Sequence, residues 1–207
     1  INQDLQLAIR YAWSTSNIYG FIRRTSLVNL SDQPIEVELL DGIQNIVPAG
    51  VGSYLQNNTS NLVDAYKRTE LDPDSDLGMY ALSAVIVDKA EPSEALKANV
   101  AWSLGLDHRT ILLSSLQLDD FRHGRSVQAE WDIKAEKGAY FIYTTLVLAA
   151  KDSESWKIIA NVNQSQSTVV GLIHAIKENA DLDAALQADI NDGTKELIAL
   201  NDASDGL

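Results

Sequence analysis

The chain has 207 residues, a formal net charge of −13 and no cysteine. An acidic balance of this size argues against binding to nucleic acid, because such binding needs clustered Lys and Arg to neutralise phosphates. The lack of cysteine excludes disulfides, thiol catalysis and cysteine-ligated zinc. No apolar run approaches the ~20 residues of a membrane-spanning helix, so membrane insertion is not predicted.

Short β-like runs separated by turn signals fill the first two-thirds of the chain, a spacing typical of an antiparallel sandwich. In one run Ile35, Val37 and Leu39 alternate with acidic residues, and Asp41-Gly42 indicates a turn at its end. Residues 139–149 are apolar on both faces, which predicts a central strand under a covering layer. The predicted strands are residues 5–13, 19–30, 35–40, 80–87, 99–104, 111–118, 126–134, 139–149 and 156–162.

Residues 50–78 interrupt this pattern, because they are rich in Asn, Ser and Asp. We expect a long excursion from the sheet, and such loops usually serve binding or contact with another domain. Tyr54 and Tyr66 lie in this stretch and are the candidate exposed rings on which a sugar could stack. The four tryptophans all fall on predicted strands, where a core position is expected: Trp13, Trp102, Trp131 and Trp156.

After about residue 165 the apolar residues recur at helical spacing, which predicts two amphipathic helices. Asn179 and Gly193 are plausible breaks between them. The sequence therefore predicts a mainly β chain, an antiparallel sandwich (residues 1–164) followed by two C-terminal helices (165–207). We expect the helical segment to lead to a further domain, because its apolar faces need a surface to cover them.

Asp72, Asp74 and Asp76 are carboxylates at alternate positions, which is a weak calcium signal. The following Gly78 and Ser83 depart from the calcium-loop pattern, so a solvated acidic turn is the favoured interpretation.

The three histidines, His108, His123 and His174, lack the i, i+4 spacing of a helical zinc site. Asp119-Asp120 is a candidate acid pair for glycosidic chemistry. A second candidate, residues 130–136, alternates acids with Trp131 and Ile133 and is interpreted as the wet face of a strand. The sequence contains no nucleophile elbow and no glycine-rich phosphate loop. Neither a catalytic residue nor a cofactor is predicted.

A family resemblance enters at residues 13–37. The stretch resembles the N-terminal sandwich domain of bacterial glycoside phosphorylases and related hydrolases of the cellobiose phosphorylase type. In that family a strand with an Arg-Arg-Thr segment leads into an Asn-x-Ser-Asp-x-Pro turn. The residues that carry the resemblance are Tyr19, Gly20, Arg23, Arg24, Thr25, Asn29, Ser31, Asp32 and Pro34.

The resemblance implies a supersandwich of the galactose-mutarotase-like kind, joined by two linker helices to an (α/α)₆ barrel that holds the catalytic acid. It implies no catalytic residue in this chain, because catalysis in that family lies outside the sandwich. The sequence does not fix the compartment, and a soluble protein without disulfides fits the bacterial cytoplasm or periplasm.

The function predicted on this basis is that of a non-catalytic accessory domain of a larger carbohydrate-active enzyme. It would pack on a helical catalytic domain of the same polypeptide and help to shape the substrate site. The chain starts at Ile1 and its only methionine is Met79, so we expect a processed protein or a piece of a longer one. The alternatives are a free-standing carbohydrate-binding or adhesion module, and an aldose-epimerase-like enzyme that uses His108 or His123.

Overall fold

The computed structural model of the protein describes residues 1–84, 96–178 and 181–205. The strands are β1 (Leu7–Ser16), β2 (Gly20–Asn29), β3 (Ile35–Ile46), β4 (Lys67–Leu71), β5 (Gly78–Leu82), β6 (Lys97–Leu104), β7 (Thr110–Leu112), β8 (Asp132–Lys134), β9 (Gly138–Leu148) and β10 (Ser153–Ser165). The helices are α1 (Ser53–Asn58), α2 (Ser60–Tyr66), α3 (Leu118–Arg122), α4 (Gln166–Lys177) and α5 (Leu182–Asp205). Within the described residues no helix combines the length and the apolar character required to cross a membrane.

The strands form two antiparallel sheets of unequal width. The seven-stranded sheet has the order β1-β2-β10-β6-β5-β4-β8, and the three-stranded sheet has the order β3-β9-β7. With two C-terminal helices, this is the mainly β sandwich that the sequence predicts. The finer assignment to a galactose-mutarotase-like supersandwich stays a prediction.

The main core lies between the two sheets. Trp156 and Ile158 from β10 meet Tyr140 and Ile142 from β9, and all four side chains are buried. Each fully buried side chain of this size stabilises the fold by about 1.5–3 kcal/mol. We call the side of the seven-stranded sheet that carries Trp156 its inner face and the opposite side its outer face.

Both sheets are also covered on their outer sides. Val169 of α4 and Leu186 of α5 pack with Trp102 on the outer face of the seven-stranded sheet. The helices predicted after residue 165 are therefore part of the fold, although a domain boundary at residue 165 and a further domain beyond it stay predictions. Leu118 and Val127 pack against Phe141 of β9, which is the covering layer expected for residues 139–149.

The turn predicted at Asp41-Gly42 is wrong, because β3 continues through both residues to Ile46. Gly42 pairs with Phe141 of β9, and a Cβ at this position would overlap the Phe141 ring. Glycine is needed here for the close approach of two strands and not for a change of chain direction.

The excursion predicted for residues 50–78 is wrong in its second half, because β4 is an internal strand of the seven-stranded sheet. The sequence hides this strand because two of the three residues on its buried side, Lys67 and Thr69, are polar and only Leu71 is apolar. The Lys67 ammonium is paired with the Asp64 carboxylate at 2.7 Å, which allows its burial.

Three other predicted boundaries move. The strand expected at residues 111–118 ends at Leu112, and the one expected at 126–134 is reduced to β8. The strand expected at 80–87 is β5, and its last predicted residues, 85–87, lie outside the described residues. Gly193 lies inside α5 and breaks no helix, whereas Asn179 lies outside the described residues.

Candidate functional site

The unequal width of the two sheets leaves part of the inner face uncovered at β1. Four large side chains there are half exposed or more: Ile9 (50%), Tyr11 (68%), Trp13 (56%) and Phe21 (50%). Tyr11 pairs with Thr25 of β2, and Thr25 pairs with Trp156 of β10, so Tyr11 lies on the same face as the buried Trp156. We call Ile9, Tyr11, Trp13 and Phe21 the open aromatic face.

The period of two in β1 produces this arrangement. Ile9, Tyr11 and Trp13 alternate with Ala8, Arg10 and Ala12, whose side chains point to the outer face. At the end of the strand the Ser16 hydroxyl donates to Asp189 of α5, and the Ile18 N–H donates to the same carboxylate oxygen at 3.1 Å. The hydrogen bond from Ser16 is the main cause that lowers the pKa of Asp189. The back of β1 is therefore held by α5 while its front stays open.

A polar group borders the open aromatic face. Trp13 pairs directly with Arg23, which puts their Cβ atoms about 4.5–5.5 Å apart. Arg23 crosses to the other sheet, where its Nη2 lies 2.5 Å from Asp41 Oδ2 and its Nη1 donates to the Gly42 carbonyl at 2.9 Å. The Arg23–Asp41 pair thus joins the two sheets beside Trp13.

Asp41 Oδ2 collects further donors. Trp156 Nε1 donates to it at 2.6 Å, and Thr25 Oγ1 donates at 3.4 Å. Asp41 Oδ1 accepts no hydrogen bond from the described residues, yet it is not fully buried. Arg23 Nε, by contrast, is buried and has no hydrogen-bond partner among those residues. A carboxylate oxygen fixed in this way is an acceptor available to a ligand hydroxyl.

This combination fits recognition of a flat, amphipathic ligand. Exposed Tyr and Trp rings offer apolar faces with a polar edge, and the neighbouring carboxylate accepts hydrogen bonds. Because Arg23, Trp156 and Thr25 all donate to Asp41 Oδ2, the position of the carboxylate is fixed by the structure. The arrangement suits binding and orientation more than proton transfer.

The structure does not place the predicted sugar-binding rings on this face. Tyr54 is exposed on α1, and Tyr66 is half-buried at the end of α2. The Tyr66 carbonyl accepts hydrogen bonds from the N–H and the hydroxyl of Ser83. A role of Tyr54 and Tyr66 in sugar binding stays a prediction.

The carboxylates of the calcium candidate point to separate partners. Asp72 accepts from the Ser75 N–H at 3.0 Å within the turn, Asp74 pairs with Lys177 at 2.6 Å, and Asp76 pairs with Arg109 at 3.1 Å. The hydrogen bond to Asp74 raises the pKa of Lys177. Within residues 1–84, 96–178 and 181–205 no three His, Asp or Glu side chains lie close enough to hold a metal. A calcium site at Asp72, Asp74 and Asp76 stays a prediction.

The histidines are dispersed over the fold. His108 lies in a loop with a left-handed backbone (φ 49°), and His174 is exposed on α4. His123 Nδ1 lies 2.6 Å from the Asp119 carbonyl at the end of α3. The first carboxylate pair is tied locally, since Asp119 pairs with Arg122 and Asp120 pairs with Arg125.

The wet face predicted for residues 130–136 is wrong at its first two positions. Glu130 is buried and accepts hydrogen bonds from the N–H groups of Leu113 and Ser114 at 2.7 and 2.8 Å, whereas Trp131 is exposed. The donors lie 16 and 17 residues earlier, so the local pattern carries no signal for them.

The expectation that the strand tryptophans are core residues holds for Trp102 and Trp156 and is wrong for Trp13 and Trp131. The open aromatic face was therefore missed from the sequence. The available signal was the Ile9, Tyr11, Trp13 alternation, which gives a common face but not its exposure.

Comparison of the chain with protein-family models finds no match, and comparison with curated proteins finds none either. The resemblance to the sandwich domains of the cellobiose phosphorylase type stays a prediction. The candidate site rests on the residues and their geometry alone.

Proposed function

We propose that the protein is a non-catalytic carbohydrate-binding β-sandwich module that holds a glycan on the open aromatic face. The observation that carries this proposal is the exposure of Tyr11, Trp13 and Phe21 on one flat sheet face, beside the fixed Asp41 carboxylate. A pyranose ring has C–H groups that can stack on the rings of the open aromatic face. It also has hydroxyls that can donate to the Asp41 carboxylate.

The shape of the face favours the interior of a glycan chain over a chain end. Tyr11 and Trp13 are two residues apart on one strand, which puts them about 6.5–7 Å apart along it. The face is a sheet surface at an edge strand and not a closed pocket. An extended chain can therefore lie along β1, with successive sugar rings over successive side chains.

The net charge separates this proposal from recognition of single-stranded nucleic acid. Bases also stack on exposed aromatic rings, but that binding depends on a positively charged groove along the backbone. The chain carries a net charge of −13, which opposes a polyphosphate. A neutral glycan avoids this repulsion.

The test is titration calorimetry of the protein with soluble β-glucan, xylan, mannan and α-glucan. We expect saturable binding to at least one of them and a loss of affinity of about tenfold or more in Trp13→Ala, because covering one large apolar side chain contributes about 1.5–3 kcal/mol. Trp131→Ala is the matched control, since Trp131 is 53% exposed and Trp13 is 56% exposed. The control should bind like the unchanged protein.

Two outcomes would contradict the proposal. The first is no binding to any of the four polysaccharides. The second is the same affinity in Trp13→Ala and Trp131→Ala, which would remove the open aromatic face from the interaction. A self-association that Trp13→Ala abolishes, without glycan binding, would assign the face to a protein contact.

A second candidate function is the accessory domain of a larger carbohydrate-active enzyme. It is favoured by α5, where Leu197, Ile198 and Leu200 are exposed near the end of the helix. Such a surface suits packing on a helical neighbour. The test is the coding sequence beyond Leu207: regularly spaced amphipathic helices would support this function, and an early stop codon would contradict it.

A further inference from the structure

A cavity of about 220 Å³ lies between α4 and the outer face of the seven-stranded sheet. Tyr19 and Trp102 form its wall on the sheet side, Gly171, Leu172 and Ala175 form its wall on α4, and Leu182 of α5 closes one end. We call it the α4 pocket. It lies on the opposite side of the sheet from the open aromatic face.

The walls of the α4 pocket are apolar and include two aromatic rings. The rings of Tyr19 and Trp102 meet edge to face, with centroids 6.3 Å apart and an angle of 61° between their planes. A third ring that enters the cavity extends this cluster with the geometry that aromatic groups prefer.

The polar side chains at the rim are already engaged by the protein. Asn161 donates to the Ile18 carbonyl and accepts from the Val162 N–H, and Gln164 donates to the Val162 carbonyl. The Thr168 hydroxyl lies 2.8 Å from that of Ser165. A ligand rich in hydroxyls or charge would find few free partners here, so the pocket selects an apolar ligand.

Gly171 has no structural reason to be glycine. It lies inside α4, where glycine is a poor helix former. Its φ is not left-handed, and a Cβ at this position would meet no atom within 4 Å. Neither backbone strain nor close packing therefore requires glycine, and Gly171 is an exposed residue that lines the pocket without a side chain.

We infer that the α4 pocket binds a compact apolar molecule of one or two fused rings. An engineered apolar cavity of about 150 Å³ binds benzene. The α4 pocket, at about 220 Å³, has room for benzene or for the larger indole. The ligand lies against half-buried Tyr19 and beside Gly171 of α4, since Trp102 behind Tyr19 is only 1% exposed.

The test is an NMR titration with benzene and with indole as probes, with the indole N–H signal of Trp102 as the readout. We expect saturable shifts of that signal in the unchanged protein. Gly171→Leu adds a large side chain to the α4 wall of the pocket and should lower the affinity for both probes by at least tenfold. Its melting temperature without ligand should rise by about 2–4 °C, because a better helix former replaces glycine.

Gly193→Leu is the matched control. Gly193 also lies inside a helix, α5, and its Cβ position is also open, but it borders a different cavity beside Ser14 and Leu197. It should gain similar helix stability and keep the affinity of the unchanged protein for both probes.

Either of two results would overturn the inference: no saturable shift with either probe up to its solubility limit, or unchanged affinity in Gly171→Leu. If Gly171→Leu folds poorly, Gly171→Ala replaces it, and an affinity equal to that of Gly193→Ala would have the same meaning. Glycan binding is measured in parallel. Because the two sites lie on opposite faces of the sheet, either one can fail while the other stands.

Discussion

The inner face of the seven-stranded sheet has a covered half and an open half. Trp156 and Trp13 lie on this same face, yet Trp156 is 1% exposed and Trp13 is 56% exposed. The difference does not come from their strands, since both belong to the same antiparallel sheet. It comes from the second sheet, whose three strands cover the region around β10 and end before β1. The width of the three-stranded sheet thus decides which residues of the inner face are buried. A tryptophan under that sheet is part of the core, and a tryptophan beyond its edge is part of the exposed surface.

The largest effect is expected from Trp156→Ala in the covered half. The substitution leaves a cavity between the sheets and removes the donor to Asp41, so we expect the free energy of unfolding to fall by about 3–5 kcal/mol. Chemical denaturation measures the change. A loss below about 1 kcal/mol would mean that Trp156 does not anchor the two sheets.

A smaller effect is expected at high pH from two tyrosines of the covered half. Burial raises the pKa of Tyr80 and of Tyr140 above the usual value, because the ionised form is poorly solvated inside the core. The unfolded chain releases these protons from about pH 10, so stability that is full below pH 10 is lost as the pH rises further. Denaturation curves at pH 8 to 11.5 check this.

Tyr80→Phe separates the contribution of one ring. The Tyr80 hydroxyl donates to the Ala139 carbonyl at 2.7 Å, so the variant should lose about 1–2 kcal/mol at pH 8. Its stability should then fall less steeply above pH 10 than that of the unchanged protein. Equal slopes for the two proteins would show that Tyr80 does not take part in the alkaline loss.

A still smaller effect on stability is expected from Trp13→Ala in the open half. Its side chain is largely in water, so the free energy of unfolding should change by less than about 0.5 kcal/mol. The pair Trp156→Ala and Trp13→Ala is the direct test of the comparison. A loss of more than about 2 kcal/mol in Trp13→Ala would show that the open half is part of the core after all.

The smallest effect is local and concerns the back of the open half at low pH. Because the pKa of Asp189 is lowered, the stability that its carboxylate contributes is fully present at pH values above the usual pKa of an Asp side chain. This stability is lost as the pH falls below about 4. The protection of the Ile18 amide, which donates to Asp189, against hydrogen exchange should therefore fall at acid pH, measured relative to the exchange rate of an unstructured chain at the same pH. In Asp189→Asn the protection of this amide should not depend on pH over the same range.

The period-two pattern predicted most strands and the helical spacing predicted the two C-terminal helices, because both report the side chains that one element turns toward a core. The pattern failed where a buried position is polar and its charge is neutralised or hydrogen-bonded by another residue. Lys67 is buried in β4 because Asp64 neutralises it, and Glu130 is buried because two distant N–H groups bind it. Asp64 precedes the strand by three residues and the Glu130 partners are 16 and 17 residues away, so neither partnership belongs to the alternation within one strand.

The open aromatic face shows a different limit. The alternation of residues in β1 places Tyr11 and Trp13 on one side of the strand, and this much can be predicted from the sequence. It does not reveal that β3 and β9 stop short of that side, because the width of the second sheet depends on pairings far apart in the chain. The sequence predicts Tyr54 and Tyr66 as exposed rings because the residues around them are polar. The polarity of a short segment does not tell which sheet face another layer leaves uncovered.

The pairing of β2 with β10 also sets an order of events during synthesis. Val28 and its partner Ser153 are separated by 125 residues of chain. At about 5–20 residues per second, the β1–β2 hairpin leaves the ribosome about 6–25 s before β10 exists. During that interval both faces of the hairpin are bare, and the exposed part of Trp13 faces water in the nascent chain as it does in the finished protein. The open aromatic face is thus in contact with water both before and after β10 is made, whereas Asp41 beside it is fixed only once Trp156 of β10 can donate to it.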